Sequence, residues 1–222
     1  MYNNPYQLLV FDWDGTLMDS AQEIIDCFQG AAKDQGQTVP AAKQVKEIIG
    51  IGMQEAIRIL FPGLDSDQAY DQLIASYRDH YFAAERKKSE LFEGIFEMIS
   101  ALESDGFLLG VATSKGRRGL DLALERSGLD KVFHFTRCID EAPSKPHPQM
   151  LLDIIDYTGV DADRTLMIGD TEFDLLMAKN AGTHGLGVCC GAHPEERLWA
   201  SDPITCLQHT IELRDWLKDN KS

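Results

Sequence analysis

Five short apolar runs recur along the chain without alternating: residues 7–11 (QLLVF), 107–112 (FLLGVA), 132–138 (VFHFTRC), 164–168 (RTLMI) and 184–190 (HGLGVCC). Continuous runs of this length suit strands buried on both faces, as in a parallel sheet; a strand with one wet face would alternate. Between them lie helical patterns. Leu91, Phe92, Ile95, Phe96, Ile99 and Leu102 recur at three- and four-residue spacing, as do Phe173, Leu176, Met177 and Asn180. Pro148 opens a helix over residues 150–157, and Gly128 stops the one carrying Leu120 and Leu124. Strands alternating with helices predict an α/β domain with a doubly wound, Rossmann-like parallel sheet. Ligands of such sheets bind beyond the carboxyl ends of the strands.

One stretch breaks the alternation. Residues 19–88 hold no strand-like run. Ser20 and Glu23 read as a capping box that opens a helix with Ile24, Ile25 and Phe28 on one face. Met53, Ala56, Ile57 and Leu60 form a second stripe. Tyr70, Leu73, Ile74, Tyr77 and Tyr81 form a third, read as bundle interior rather than as a substrate cage. The pattern predicts an α-helical bundle at 19–88, inserted into a core made of 1–18 and 89–222. The length agrees: 222 residues is about one and a half domains of ordinary size.

The strand ends carry the chemistry. Asp12-Trp13-Asp14-Gly15-Thr16 follows the first run and Thr113-Ser114-Lys115 the second. Ser144-Lys145-Pro146-His147-Pro148 precedes a helix, and Gly169-Asp170-Thr171-Glu172-Phe173-Asp174 follows the fourth run. Taken alone, the first pair of acids also fits a surface turn, since Asp-Gly is a common turn dipeptide. Taken together, the strand ends supply several carboxylates, a hydroxyl and an ammonium. A buried unpaired carboxylate costs several kcal/mol, so such acids are paired, ligated or exposed. A divalent cation stabilises a carboxylate cluster, and Mg²⁺ takes one or two carboxylates with waters and phosphate oxygens. The hydroxyl and ammonium then fit as donors to a phosphoryl group.

Charge narrows the partners. The chain has 21 basic and 36 acidic residues, a net charge of −15, of which −3 falls in residues 19–88 and −12 in the remainder. Such a chain repels nucleic acid and anionic lipid unless a basic patch reverses the field, and the densest basic run is only Arg86-Lys87-Lys88. The five cysteines (27, 138, 189, 190 and 206) are odd in number and form no CxxC pair, which suits reduced thiols. Cys189 and Cys190 read as inert thiols, and His147, His184 and His193 as structural. No apolar run approaches the roughly 20 residues of a membrane span, and the start does not look like a signal peptide. These features give the expectation of a cytoplasmic protein without membrane or nucleic-acid partners, monomeric or homodimeric.

The ordered set DWDGT, TSK, KPHP and GDTEFD, with LFEGIFEMI resuming the core, resembles the haloacid dehalogenase superfamily of phosphohydrolases. The likeness is greatest to phosphoglycolate-phosphatase-like members with a helical cap. The resemblance implies Asp12 as the nucleophile that becomes an aspartyl-phosphate. Asp14 would be the acid and base, with its backbone carbonyl on the metal. Thr113 and the Ser114 amide would hold the phosphoryl oxygens, and Lys145 would neutralise the nucleophile and phosphoryl charge. Asp170 would bind Mg²⁺, and Asp174 would bind it or orient a neighbour, giving a metal set of Asp12, Asp14, Asp170 and Asp174. Gly15, Thr113, Ser114, Lys115, Lys145 and Arg58 would contact the substrate, the last beside a candidate specificity loop at Gly50-Ile51-Gly52-Met53-Gln54 that also reads as a plain helix–helix turn. Members that remove halides generally lack the second acid, so Asp14 points to phosphoryl transfer. Trp13 and Ser114 depart from the commoner Phe or Leu and Asn. The implied activity is Mg²⁺-dependent hydrolysis of a small phosphorylated metabolite, with phosphoglycolate the leading substrate. A phosphosugar mutase, a pyrophosphatase or nucleotidase, and a non-catalytic phospho-ligand binder are the rivals.

Overall fold

The computed structural model describes residues 4–64, 66–83, 89–133 and 135–220; the basic run Arg86-Lys87-Lys88 lies outside them. Six strands, β1 (Leu8–Phe11), β2 (Leu108–Thr113), β3 (Phe135–Cys138), β4 (Thr165–Gly169), β5 (His184–Val188) and β6 (Thr205–Leu207), form one sheet in the order β3-β2-β1-β4-β5-β6. Every pairing is parallel. The central strand β1 is buried along its whole length, which is why its sequence is an unbroken apolar run. Its alternate side chains feed two separate layers. Leu9 and Phe11 join Val111, Ile168 and Leu186 on one face, and Leu8 and Val10 join Ala112 and Met167 on the other.

Helices α1 (Ala21–Asp34), α2 (Ala42–Lys46), α3 (Met53–Leu60) and α4 (Asp67–Phe82) lie between β1 and β2; α5 (Ile95–Ser104) then returns the chain to the sheet. Helices α6 (Arg117–Ser127), α7 (Gln149–Thr158), α8 (Glu172–Ala181), α9 (Glu195–Trp199) and α10 (Leu213–Asp219) complete the layers. Leu102 of α5, Leu120 of α6 and Leu217 of α10 pack on one face of the sheet; Ile154 of α7 and Met177 of α8 pack on the other. Helices α1 to α4 enclose an apolar cluster of their own, which includes Phe28, Val45, Ile57 and Leu73. Among the described residues no helix is long and apolar enough to cross a membrane.

Several local expectations differ from the structure. The capping box at Ser20 does not form. Ser20 makes no cap hydrogen bond, and the Glu23 carboxylate instead accepts from the Ser89 hydroxyl at 2.5 Å and its amide at 3.3 Å. This ties the outgoing chain to the returning one, where Asp19 N donates to Glu90 O and Phe92 N to Leu17 O. Helix α5 starts at Ile95 rather than near Leu91, because Gly94 before it sits at φ +76°. The buried face of α8 is Asp174, Leu175, Met177 and Ala178; Phe173 turns toward the α1–α4 cluster and Asn180 is exposed. The polar Asp174 on the buried side hid the true phase. Strand β3 begins at Phe135, later than its apolar run, and β5 stops at Val188, before the two cysteines. Strand β6 had no signal: it is a three-residue, half-buried edge.

Leu73 is fully buried in the α1–α4 cluster. Leu73→Ala is expected to cost about 2–5 kcal/mol of stability, read by urea denaturation. An unchanged midpoint and slope would contradict the packing described.

Candidate active site

Sheet order decides which side chains meet. Strand β1 lies between β2 and β4, so the residues that follow these three strands emerge together at one edge of the sheet. Asp12 follows β1 directly, and its amide donates to Ile168 O at 2.9 Å, extending the ladder by one bond. Thr113 is the last residue of β2, and Asp170 follows the last residue of β4. Lys145 arrives on the loop before α7, and Asp174 in the first turn of α8.

Lys145 has no exposed surface, and its Nζ donates to Asp12 Oδ1 and Asp174 Oδ1, both at 2.7 Å. The other oxygen of Asp174 accepts from the Thr171 hydroxyl at 2.7 Å and the Thr171 amide at 3.1 Å, capping α8 while it holds the lysine. Asp170 accepts from the Thr16 hydroxyl through Oδ1 and from the Ala192 amide through Oδ2, each at 2.8 Å. Two glycines make this possible. A Cβ on Gly15, at φ +87°, would lie 2.3 Å from Asp170 Oδ2, and one on Gly191 would lie 2.0 Å from the same atom. Gly15 stood out in the sequence beside two acids; Gly191, on a loop after β5, had no such flag.

Carboxylate oxygens of Asp12, Asp170 and Asp174 all lie within 4.8 Å of one another. Three buried carboxylates thus face one ammonium. Burial, reinforced by Asp12 and Asp174, pushes the Asp170 pKa well up, against its two hydrogen bonds. Burial also raises Asp12, opposed by Lys145 and aided by Asp174 and Asp14. Burial works against the charge on Lys145, yet Asp12 and Asp174 outweigh it and raise its pKa, so it remains an ammonium. A surplus of negative charge on hard oxygen donors is the donor chemistry a divalent cation such as Mg²⁺ requires, so the site fits the implied metal. The Asp14 side chain stands outside this trio. Its Oδ2 meets Lys115 Nζ at 2.9 Å, while Oδ1 is buried with no hydrogen-bond partner among the described residues.

Above the strand ends, a cavity of about 350 Å³ lies between the sheet and helices α1 to α4. Asp12, Asp14, Thr113 and Ser114 line its sheet side; Phe28, Ile49, Ile51, Met53, Tyr77 and Tyr81 line the helical side. The loop between α2 and α3 is anchored here: Ser114 Oγ donates to Gly50 O at 2.6 Å, and Gly52 N donates to Ser144 Oγ at 2.8 Å. The Ser114 hydroxyl and the Lys115 ammonium, which also reaches the Tyr81 hydroxyl at 3.1 Å, are therefore already engaged.

Arg58 is not brought to the site; it lies exposed on α3, outside the cavity lining. The guanidinium groups at the cavity are Arg118, 4.3 Å over the Phe82 ring, and Arg78 of α4, an exposed residue that the sequence did not single out. Tyr77 and Tyr81 correct the expectation of a purely interior stripe, since both face the cavity. Trp13 is buried in the layer with Leu9 and Phe11, its ring edge-on to Phe133. Burial pushes the Cys190 thiol up, in keeping with an inert cysteine, and His193 Nδ1 accepts from the Glu172 amide at 3.1 Å.

The family model for haloacid dehalogenase-like hydrolases matches residues 9–188. The chain is 34% identical over 201 residues to the protein named "Probable phosphatase IndB" from Dickeya dadantii, covering 88% of this chain and 86% of that one. It is 31% identical over 192 residues to a phosphoglycolate phosphatase from Agrobacterium fabrum, covering 83% and 81%. A hydrolase from Pseudomonas syringae shares the fold, with a TM-score of 0.87 and 22% identity over 97% of this chain and 100% of that one. With the strand-end site and the matched family model together, the chain belongs to the haloacid dehalogenase-like hydrolases and is a phosphatase of that family.

Proposed function

We propose that the chain is a Mg²⁺-dependent phosphomonoesterase acting on a small phosphorylated metabolite through a phosphorylated Asp12. The observation that carries this reading is the buried Lys145 ammonium bridging Asp12 and Asp174 at the carboxyl end of the central strand. A carboxylate needs to be anionic to attack phosphorus, and in this buried setting only its cationic neighbour opposes protonation.

In this reading the phosphoryl group enters from the cavity and lies between Asp12 and the Thr113 hydroxyl. An Asp12 oxygen forms the bond to phosphorus as the bond to the leaving alcohol oxygen breaks, and Asp14 gives that oxygen its proton. Water then attacks the phosphorus of the aspartyl-phosphate, Asp14 recovers a proton from it, and inorganic phosphate and the Asp12 carboxylate are released. The Lys115 ammonium, 2.9 Å from Asp14 Oδ2, holds that carboxylate at the mouth of the cavity. Bound by Asp12 and Asp170, Mg²⁺ would offset the surplus carboxylate charge and polarise the phosphoryl group. Asp174 positions Lys145. Residues 19–88 act as a cap on a core of 1–18 and 89–222, excluding water while the first step proceeds.

The rivals are weighed by the cavity. A phosphosugar mutase holds a sugar ring in two orientations with polar donors, whereas the helical wall is mainly apolar, with Phe28, Ile49, Ile51 and Met53 beside the rings of Tyr77 and Tyr81. A non-catalytic binder has no need for two acids at one strand end backed by a buried lysine.

Asp12→Asn is expected to lower Mg²⁺-dependent turnover of p-nitrophenyl phosphate by about a thousandfold or more, with an unchanged circular dichroism spectrum. Activity within a few fold of wild type would remove Asp12 as nucleophile. Treatment with EDTA is expected to abolish turnover and excess Mg²⁺ to restore it; full activity after chelation and dialysis would rule out the metal requirement.

A further inference from the structure

The helical side of the cavity has a chemical character that hydrolysis of a phosphomonoester does not by itself require. Phe28 and Tyr77 lie 4.7 Å apart ring to ring, and Tyr77 stacks with Tyr81 at 6.4 Å and an interplanar angle of 6°. Ile49, Ile51 and Met53 complete the wall. Several polar side chains among these lining residues are engaged by the protein itself. Ser114 donates to Gly50 O, Lys115 meets Asp14 and Tyr81, and Asp140 accepts the Arg117 amide at 3.1 Å. The two guanidinium groups, Arg78 and Arg118, are exposed, and Arg118 lies over Phe82.

We propose that the alcohol half of the substrate is an uncharged, apolar group of about the size of a single aromatic or alicyclic ring. The inference rests on the phosphomonoesterase reading above and specifies its substrate class. A carboxylate such as that of phosphoglycolate would leave water for a wall of isoleucine, methionine and aromatic rings, with the nearest ammonium already paired. Sugar hydroxyls would lose water there with few donors and acceptors to replace it. An apolar ring gains from the same desolvation, and flat faces such as those of Tyr77 and Phe28 suit edge or offset contact with it. The volume agrees. At about 350 Å³, at the low end of the roughly 300–1,000 Å³ typical of small-molecule pockets, the cavity has room for such an ester with its phosphoryl group.

The test compares benzyl phosphate, glycerol 3-phosphate and phosphoglycolate with Mg²⁺ present, since each releases a primary alcohol and leaving-group reactivity is similar. The kcat/KM for benzyl phosphate is expected to exceed both others by about tenfold or more. Met53→Lys, at a half-buried wall position, is expected to lower the ratio of benzyl phosphate to phosphoglycolate turnover, with an unchanged circular dichroism spectrum reporting that the variant is folded. Equal or greater kcat/KM for phosphoglycolate or glycerol phosphate overturns the apolar assignment and leaves the hydrolase reading standing. An unchanged ratio in a folded Met53→Lys removes the helical wall as its source. No Mg²⁺-dependent turnover of any ester, p-nitrophenyl phosphate included, overturns the hydrolase reading and this inference with it.

Discussion

A lysine ammonium with no contact to water stands 2.7 Å from each of two carboxylates, and the site is arranged around that contact. Neither charge type would remain ionised there alone, because burial disfavours both. Asp12 belongs to the central strand, Lys145 to the loop before α7 and Asp174 to the start of α8. The ion pairs therefore join three segments distant in sequence and fix the strand ends relative to one another. Removing Lys145 would leave two buried carboxylates without a cationic partner, a cost of about 3–5 kcal/mol in comparable settings.

The contact also explains the crowding beside it. Asp170 completes a group of three carboxylates that one ammonium cannot neutralise, and it fits only because Gly15 and Gly191 leave no Cβ in its way. The helical insertion closes the other side. Its departure and return are tied at Glu23 and Ser89, and its α2–α3 loop is hydrogen-bonded to Ser114 and Ser144 at the strand ends. The cavity so enclosed is polar and acidic on its sheet side and apolar on its helical side.

The alternation of buried strands and helices was legible because strands buried on both faces must be largely apolar, as β1, β2 and β4 are, with only Thr113 and Thr165 polar among them. The helical insertion was legible as a long gap in that alternation. Strand β6 was not, since three half-buried residues carry no periodic signal. Glu23 was misread because a capping box is a local motif and its actual partner, Ser89, is 66 residues away. At the site, acids at strand ends were visible as anomalies, because uncompensated carboxylates do not belong after buried strands. Tyr77 and Tyr81 were read as interior because helical period shows which face is apolar, but not whether that face meets protein or a cavity. Arg58 and Arg78 occupy similar exposed helical positions, and only the packing of α3 and α4 separates the one that lines the cavity from the one that does not.

If Lys145 holds Asp12 ready as the nucleophile, the phosphoryl group must spend part of each turnover on that one carboxylate. Quenching p-nitrophenyl phosphate turnover in acid, reducing the protein with borohydride and mapping peptides by mass spectrometry tests this directly, because an aspartyl-phosphate is reduced to homoserine. A phosphorylated Asp12 predicts homoserine at position 12 and at no other acid. Recovery of Asp12 unmodified while homoserine forms at another acid, or at none under conditions of full turnover, would contradict it.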